Sequence, residues 1–375
     1  MENKMNKPSV CILGGGNGAC AYATDLKIKG SRVSLFELPE FFSNLEPAVE
    51  AGGMWLENRN QMSGVSEGFA PIDVITCDPK EAVEGAEIIF LVVPSFGQKA
   101  FMKAVAPYLT DGQIIAICPC NFGAAFAMKN ELKAANNESD VIIVEAECMM
   151  YSGFKDDSTH VWVSGYKNGM CAAAYPAIRT DEAFEKISQV YPEWVKAPSV
   201  LDTSLRNLNM VFHAPITVCN ASLVDRSQEF QFYWQGCSTG VGQVVETVEA
   251  ERQAVGKALG LQLTPALEVL KEWYGNLGCK GDTLTEAVST NPVYEWDMGP
   301  ATLQHRFLLE DIPYGMIPLE TLGKQYGVPT PTISAVIQLG IVLTGKNLRA
   351  QARDMYALGL DKVSKEDLIK MVMNG

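Results

Sequence analysis

The chain has 375 residues, 47% of them hydrophobic and 20% charged, which is typical of a globular protein with room for two domains. Its formal net charge of −14 argues against nucleic acid as a partner, since phosphate contacts need clustered Lys and Arg. No apolar run reaches membrane-spanning length, and residues 1–7 contain no apolar segment. We therefore expect neither a membrane partner nor a signal peptide.

The ten cysteines predict a reduced, cytoplasmic protein. No C-x-x-C pair occurs, and the only close pair is Cys118-Pro119-Cys120. Several others, such as Cys11 and Cys219, fall inside predicted buried strands and helices, where a thiol acts as a small apolar side chain. With only three histidines in the chain, this spacing predicts no metal site.

The first 37 residues contain a pattern of strand, glycine turn, helix, strand and acid. Residues 9–13 are an apolar, β-branched run, and Gly14-Gly15-Gly16-Asn17-Gly18-Ala19 follows at once. Residues 19–27 have helical spacing, and residues 32–36 form a second strand that ends at Glu37. The order and spacing are those of a dinucleotide-binding unit. Its candidate cofactor-binding residues are Gly14, Gly16, Asn17, Gly18, Ala19 and Glu37.

Each residue type in this pattern has a physical reason. Gly14 permits the tight turn, Gly16 lets the backbone approach a pyrophosphate, and the small side chain of Ala19 allows close packing of helix on strand. The first helical turn then offers free N–H groups to the phosphates. Glu37 lies 21 residues after Gly16, where an acid accepts hydrogen bonds from ribose hydroxyls and repels a 2′-phosphate. The sequence therefore predicts NAD(H) as the cofactor in preference to NADP(H).

Further along, apolar strands alternate with helices, as in a doubly wound parallel sheet. Residues 38–70 are expected to be rich in loops. Pro94 and Ser95 follow one central strand, and Glu145 ends another, so all three are expected at the edge where such sheets bind ligands. Pro94 and Ser95 are therefore further candidate cofactor-binding residues. The predicted strands are 73–76, 88–93, 113–118, 140–145 and 161–163, and the predicted helices are 79–84, 98–109, 124–135 and 181–190.

Beyond about residue 200 the pattern becomes helical. Thr264-Pro265 and Thr330-Pro331 mark helix starts with proline in the first turn. The predicted fold is an α/β Rossmann-type domain at residues 1–198, followed by an all-helical domain at residues 199–375. The predicted helices of the second domain are 203–226, 238–259, 264–275, 316–326, 331–345 and 365–373. The aromatic residues Phe230, Phe232, Tyr233 and Trp234 are assigned to its core.

His213 is the best-placed candidate for proton transfer. His160 follows a polar loop and is expected at the surface, and nothing in the residues around His305 suggests a role for it. His213 lies on the first helix of the second domain, on the same face as Asn209 four residues earlier. A single histidine in such a place is more often a hydrogen-bonded structural residue than a base, so the residues alone leave both roles open.

Seven stretches of the chain carry a resemblance to a known family. Those around His213 and Asp311 are the most specific. The stretches are Gly14 to Ala19, Val93 to Gly97, Asn121 to Gly123, Glu145 to Tyr151, Asn207 to Pro215, His305 to Gly315, and Val328 to Pro331. Over nearly its whole length the chain resembles the opine dehydrogenases, the octopine and nopaline dehydrogenase group, which join a Rossmann domain to a helical domain in this order.

The resemblance implies a reaction and a set of site residues. These enzymes join the amino group of an amino acid to a 2-keto acid, typically pyruvate, and reduce the adduct with a nicotinamide cofactor. It implies that His213 and Asp311 form a catalytic pair and that Arg306 contacts the cofactor. Among the family stretches, the residues assigned to substrate binding are Glu145, Tyr151, Asn207 and Asn209. A homodimer is left open.

Three departures from the family pattern bear on specificity. Phe154 stands where relatives often have a cation, Ala214 separates His213 from a proline that often follows directly, and Ser334 stands where relatives often have an acid. Without a cation at position 154, an apolar or uncharged side chain is expected in the amino-acid substrate.

Two other functions are kept as alternatives. One is a two-domain dehydrogenase of hydroxy acids or glycerol phosphate, which typically uses a lysine as acid–base group. The other is a non-catalytic NAD-sensing protein, which needs neither His213 nor Asp311.

Overall fold

The computed structural model describes residues 7–375, so most of the N-terminal segment used above to argue against a signal peptide lies outside the described residues. The chain forms two compact units. The first contains the described residues up to Cys120, residues 124–200 and residues 373–375, and the second contains residues 121–123 and 201–372. The division into separate domains at residues 198 and 199 stays a prediction, because compactness does not show which segment folds alone.

The first unit is built on an eight-stranded sheet with the order β12-β11-β8-β7-β6-β1-β2-β5. A second, four-stranded sheet has the order β4-β3-β10-β9. The strands are β1 (Val10–Leu13), β2 (Val33–Phe36), β3 (Met54–Asn58), β4 (Gly68–Ala70), β5 (Val74–Thr76), β6 (Ile88–Leu91), β7 (Ile114–Ile117), β8 (Ile142–Ala146), β9 (Tyr151–Lys155), β10 (His160–Tyr166), β11 (Cys171–Tyr175) and β12 (Val195–Lys196).

The large sheet is parallel from β5 to β8, as the sequence predicts. Every residue of β1, β6 and β7 is buried, which is why these strands read as continuous apolar runs rather than alternating ones. The exception in the sheet is β11, which pairs antiparallel to β8, with Ala172 opposite Ala146. The Rossmann-type α/β fold is confirmed.

The small sheet corrects the expectation that residues 38–70 are mainly loops. That segment contains β3 and β4, and β3 pairs parallel with β10, with Trp55 opposite His160. Met54, Leu56 and Asn58 of β3 are buried, whereas Trp55 is exposed, so the strand has the two-residue period of a half-buried sheet. Its partner strand lies about a hundred residues along the chain, and a local pattern does not show such a pairing.

Sixteen α-helices accompany the strands in the described part of the chain. The helices are α1 (Asn17–Ile28), α2 (Glu46–Ala51), α3 (Pro79–Val83), α4 (Ser95–Val105), α5 (Ala124–Ala134), α6 (Thr180–Val190), α7 (Val200–Arg206), α8 (Asn209–Cys219), α9 (Ala221–Asp225), α10 (Thr239–Leu259), α11 (Ala266–Tyr274), α12 (Leu284–Ser289), α13 (Arg306–Leu309), α14 (Ile317–Gln325), α15 (Pro331–Thr344) and α16 (Lys365–Asn374). None of these helices, within residues 7–375, has both the length and the apolar character needed to cross a bilayer.

The second unit is all-helical, as predicted, with finer divisions than expected. The single helix expected at 203–226 is three helices, α7, α8 and α9. One break falls at Asn220, whose side-chain amide donates to the carbonyl of Ile216 and so competes with the helical hydrogen bonds. Between α13 and α14, residues Ile312–Met316 form a π-helical turn that starts directly after Asp311.

Candidate active site

The glycine turn between β1 and α1 is shaped for close backbone approach. Gly14 has a φ of +120°, and a Cβ there would lie 2.6 Å from Cγ1 of Val93 and 2.7 Å from the carbonyl oxygen of Val92. Neither contact is tolerable, so only glycine fits. The same contacts place the turn against the end of β6, directly beside the segment that carries Pro94 and Ser95.

The start of α1 is open, as a phosphate site requires. Gly16 and Asn17 are exposed, and a Cβ built on Gly16 would meet no atom within 4 Å. Ala19 is fully buried against the sheet, while Gly18 packs against Met149, whose sulfur would lie 2.7 Å from a Cβ at position 18. These residues fit a dinucleotide, because the helix begins at two exposed residues with room for a phosphate beside Gly16.

Glu37 lies at the glycine turn, as its position after β2 predicts. Its Oε2 accepts a hydrogen bond from the N–H of Gly15 at 2.8 Å, and its Oε1 accepts one from Leu38 at 2.8 Å. Burial raises the pKa of this carboxyl group, while the two backbone hydrogen bonds and the nearby Lys155 act in the opposite direction. Each carboxylate oxygen keeps a further lone pair with which it could accept a ribose hydroxyl.

The other predicted residues of the first unit lie at the ends of the central strands or on β9. Pro94 precedes α4, and Ser95 is its buried first residue. Glu145 is fully buried in β8, where its Oε1 accepts a hydrogen bond from the N–H of Ala125 at 2.7 Å. Tyr151 begins β9, and its hydroxyl donates to Oδ2 of Asp25 at 2.5 Å. Their roles toward a substrate or cofactor stay predictions.

In the second unit, His213 and Asp311 form a hydrogen-bonded pair. Nδ1 of His213 lies 2.7 Å from Oδ2 of Asp311, although 98 residues separate the two in sequence. The histidine comes from the middle of α8, and the aspartate is buried directly before the π-helical turn. A carboxylate next to Nδ1 places the ring proton on that nitrogen and leaves Nε2 as an acceptor.

Two aromatic residues complete the surroundings of His213, and the sequence reasoning missed both as site residues. The hydroxyl group of Tyr233 lies 3.0 Å from Nε2, on the side of the ring away from Asp311. The ring of Phe307 stacks on the imidazole at 4.0 Å between centroids. Tyr233 is buried, as its assignment to the core implies, and its hydroxyl group lies next to Nε2, the ring nitrogen that Asp311 does not contact.

A second polar network starts from Glu310, next to Asp311 in the chain. Glu310 is fully buried and forms an ion pair with Arg306 at 2.9 Å. Its Oε1 also accepts a hydrogen bond from Asn121 at 3.4 Å, and Asn121 accepts one from the amide of Asn207 at 2.9 Å. Asn207 in turn accepts from the backbone N–H of Asn209 at 2.9 Å. The structure therefore brings together Arg306, Asn207 and Asn209.

His305 differs from His213 in its electrostatic surroundings. Burial is the largest cause that lowers its pKa from 6.5 to about 4, and the positive charge of Arg306 acts in the same direction. It is therefore neutral near pH 7, and its Nδ1 accepts a hydrogen bond from the N–H of Phe307 at the start of α13. Within residues 7–375, no group of three or more His, Cys, Asp or Glu side chains is arranged to hold a metal ion.

The fold and these two sites together define a dehydrogenase that uses NAD or NADP, and comparison with known proteins identifies the family. A family model described as "NAD/NADP octopine/nopaline dehydrogenase, alpha-helical domain" matches residues 196–344. An opine dehydrogenase of Arthrobacter sp. (strain 1C) is 34% identical over 349 residues, which cover 93% of this chain and 94% of that protein.

Solved structures of octopine dehydrogenase share the fold. The complex with NADH and L-arginine has a TM-score of 0.77 and 21% identity, and covers 97% of this chain and 98% of its own. The complex with NADH and pyruvate has a TM-score of 0.75 and 22% identity, with the same coverage.

The chain belongs to the opine dehydrogenase family. It is an oxidoreductase that acts on CH–NH donors and joins an amino acid reductively to a 2-keto acid, with NAD(P) as the redox partner. Family membership therefore decides among the three functions that the sequence left open, in favour of the opine dehydrogenase.

Proposed function

We propose that His213 is the general acid–base group of this reaction and that Asp311 holds it in the active tautomer. The observation that carries the proposal is the 2.7 Å hydrogen bond between Nδ1 of His213 and Oδ2 of Asp311. A carboxylate at Nδ1 fixes the ring and stabilises the imidazolium form, so that Nε2 can accept a proton and return it.

The condensation needs a proton carrier near neutral pH. As the amine attacks the carbonyl carbon of the keto acid it loses a proton, and the carbonyl oxygen must gain protons to leave as water. An imidazole can do both, since its ordinary pKa lies near neutrality. A bound nicotinamide supplies the hydride that reduces the resulting C=N bond. The protein's part is to bind, to orient and to move protons.

Tyr233 is proposed to orient His213 from the other side of the ring. Replacing it in Tyr233→Phe removes the hydroxyl group 3.0 Å from Nε2 but keeps the ring that stacks on Tyr294 at 4.1 Å. We expect kcat to fall by about tenfold, the scale of one neutral hydrogen bond, with an unchanged affinity for NADH. Steady-state kinetics and NADH titration measure the two effects, and an unchanged kcat would mean that the hydroxyl group only fills space.

We also propose NAD(H) as the preferred cofactor, because of Glu37. Its carboxylate faces the glycine turn, and a negative charge there repels a 2′-phosphate. Replacing it in Glu37→Gln keeps the shape and removes the charge. The ratio of kcat/KM for NADPH to that for NADH is expected to rise by ~10-fold, which corresponds to ~1.4 kcal/mol. A ratio that does not move would show that selectivity comes from elsewhere.

The amino-acid substrate is proposed to carry an uncharged side chain, and the keto acid to be pyruvate. Phe154 packs on Trp162 with ring centroids 4.9 Å apart, so position 154 offers no cation to an acidic side chain. We propose that Glu145, Tyr151, Asn207 and Asn209 hold the substrates and that Arg306 contacts the cofactor. Pyruvate is supported by its presence in the solved complex of octopine dehydrogenase.

A cytoplasmic location and a homodimer are further parts of the proposal. None of the ten cysteines, all of which lie within the described residues, is in a disulfide bond, which supports a reducing compartment. On α15, Leu339 and Val342 are 50% and 66% exposed and lie three residues apart on one face of the helix. An apolar face of this kind supports a contact between two copies, and light scattering measures the mass of the assembly.

The test of the proposed function is NADH oxidation by the purified protein. Pyruvate is supplied with each of the twenty amino acids and, as the control, alone. Oxidation that requires both partners is the expected result, with the highest kcat/KM for an amino acid with an uncharged side chain. Oxidation with pyruvate alone would instead indicate a hydroxy-acid dehydrogenase, and a preference for an acidic or basic amino acid would contradict the proposed specificity.

A further inference from the structure

Lys155 places a cation at the glycine turn from a different sheet. It is the last residue of β9, and its Nζ donates a hydrogen bond to the carbonyl oxygen of Gly15 at 2.7 Å. The thiol of Cys20 approaches the same oxygen at 3.6 Å, and burial raises the pKa of that thiol to about 11, so it remains an S–H donor. The turn from Gly14 to Gly18 has no Lys or Arg of its own.

The carbonyl group that Lys155 holds belongs to the peptide that would bind phosphate. The Gly15–Gly16 bond is not among the two cis peptides found within residues 7–375, so its C=O and N–H point in opposite directions. With the oxygen of Gly15 turned toward Lys155, the N–H of Gly16, which is an exposed residue, points away from Lys155. A peptide between two glycines rotates easily, because neither residue has a Cβ to restrict φ and ψ.

The neighbouring peptide is held in a matching way by a carboxylate. The N–H of Gly15 donates to Oε2 of Glu37 at 2.8 Å, while the carbonyl oxygen of Gly15 accepts from Lys155. Lys155 also lies close enough to Glu37 to oppose the rise in that carboxyl's pKa. Gly15 is thus fixed at both ends by groups of opposite charge, and hydrogen bonds to charged groups are stronger than neutral ones.

We infer that Lys155 is a positioning residue for the pyrophosphate of the dinucleotide. It fixes the Gly15–Gly16 peptide so that the N–H of Gly16 is directed at the phosphates before the cofactor arrives. The inference rests on the proposed NAD(H) site and adds to it a residue from outside the strand–turn–helix unit. Lys155 is therefore expected to strengthen the binding of the phosphates and to leave the binding of the adenosine unchanged.

The experiment compares ligands with and without a pyrophosphate. We measure the dissociation constants of NADH by fluorescence titration, and those of ADP and adenosine by calorimetry, for the wild-type protein and the variants Lys155→Met and Lys155→Arg. In Lys155→Met, binding of NADH and ADP is expected to weaken by about tenfold, the scale of one charge-assisted hydrogen bond, with adenosine affinity within about twofold. In Lys155→Arg, which keeps the charge and the donor, most of the affinity for NADH is expected to remain.

Lys186→Met is the matched control. Lys186 also reaches a glycine carbonyl, that of Gly112 at 3.4 Å, but Gly112 precedes β7 and so lies at the opposite edge of the sheet. Like Lys155→Met, this substitution removes one positive charge from the first compact unit, but it is expected to leave the affinity for NADH unchanged.

The outcomes separate this inference from the proposed function. If Lys155→Met binds NADH as tightly as the wild type, or loses affinity for ADP and adenosine equally, the positioning role is wrong and the proposed function stands. A lower thermal unfolding temperature together with weaker adenosine binding would show a merely structural role. If the wild-type protein itself does not bind NADH, the proposed function fails, and this inference fails with it.

Discussion

Replacing His213 by alanine is expected to lower kcat by ~10²-fold or more while the dissociation constant of NADH stays within about twofold. The reason is the position of the side chain. Nδ1 is bound to Asp311, and Nε2 is the ring nitrogen left for proton transfer, capped by the hydroxyl of Tyr233. Alanine removes both nitrogens without changing the glycine turn, which belongs to the other compact unit.

The measurement for His213→Ala is steady-state turnover beside a fluorescence titration with NADH. His160→Ala is a matched control, since His160 lies on β10 with a half-exposed side chain near Asp156 and Glu57. It is expected to keep wild-type turnover. A loss of NADH binding in His213→Ala would show that the histidine is structural, and unchanged turnover would show that another group carries the proton.

Asp311→Asn should also lower kcat strongly. The cause would be a change in the tautomer of His213, because the asparagine side chain still fills the same space. Asn has the same shape, but its amide can donate a hydrogen bond to Nδ1 and so favours the tautomer with the proton on Nε2. That ring cannot accept a proton there. The corresponding change in a serine protease lowers kcat by about 10⁴-fold, and we expect a loss of ~10²- to 10⁴-fold here.

Kinetics over a range of pH, with thermal unfolding alongside, test Asp311→Asn. The fold is expected to persist because the substitution preserves volume at a site that is 1% exposed. Asp225→Asn, at the exposed end of α9 in the same unit, is the control and should match the wild type. Loss of cooperative unfolding would mean that the aspartate serves stability, and kinetics within threefold of the wild type would contradict the pairing mechanism.

The parts of the fold that the sequence predicts well are those with local signals. The glycine turn, its strand and its helix are contiguous, and each residue type there answers a local steric need, as the contacts of Gly14 with Val92 and Val93 show. The small sheet was missed because its order depends on distant pairings. β3, which contains Trp55, pairs with β10, which begins at His160. The glycines between residues 52 and 68 make that segment of the sequence resemble a loop.

The candidate site was predictable to a different degree. Composition and spacing alone left His213 undecided, and the resemblance to a family supplied its pairing with Asp311. Tyr233 is assigned to the core, and it is buried, but its hydroxyl group also lies close to a ring nitrogen of His213 on α8, a contact that no sequence spacing reveals. Phe307 follows Arg306 directly, and its stacking on His213 likewise depends on the tertiary fold.

One departure from the family pattern has a structural explanation. The hydroxyl group of Ser334 donates to Oε1 of Glu320 at 2.6 Å, and Glu320 forms an ion pair with Arg349 at 2.5 Å. Burial acts to raise the pKa of Glu320, but the hydrogen bonds from Arg349 and Ser334 are enough to lower it. An acid at position 334 would place a second negative charge against Glu320, so serine suits this chain.

The π-helical turn at Ile312–Met316 constrains the length of the chain at the site. A π turn holds one residue more than the α-helical turn it replaces, and each residue of an α-helix advances the chain by about 100° around the axis. A deletion of one residue there would make the helix regular and would rotate Asp311 by that angle relative to α14. The carboxylate would then leave Nδ1 of His213 although no side chain of the pair had changed. Insertions and deletions in this turn are therefore a sensitive marker of whether a relative keeps the hydrogen bond between these two residues.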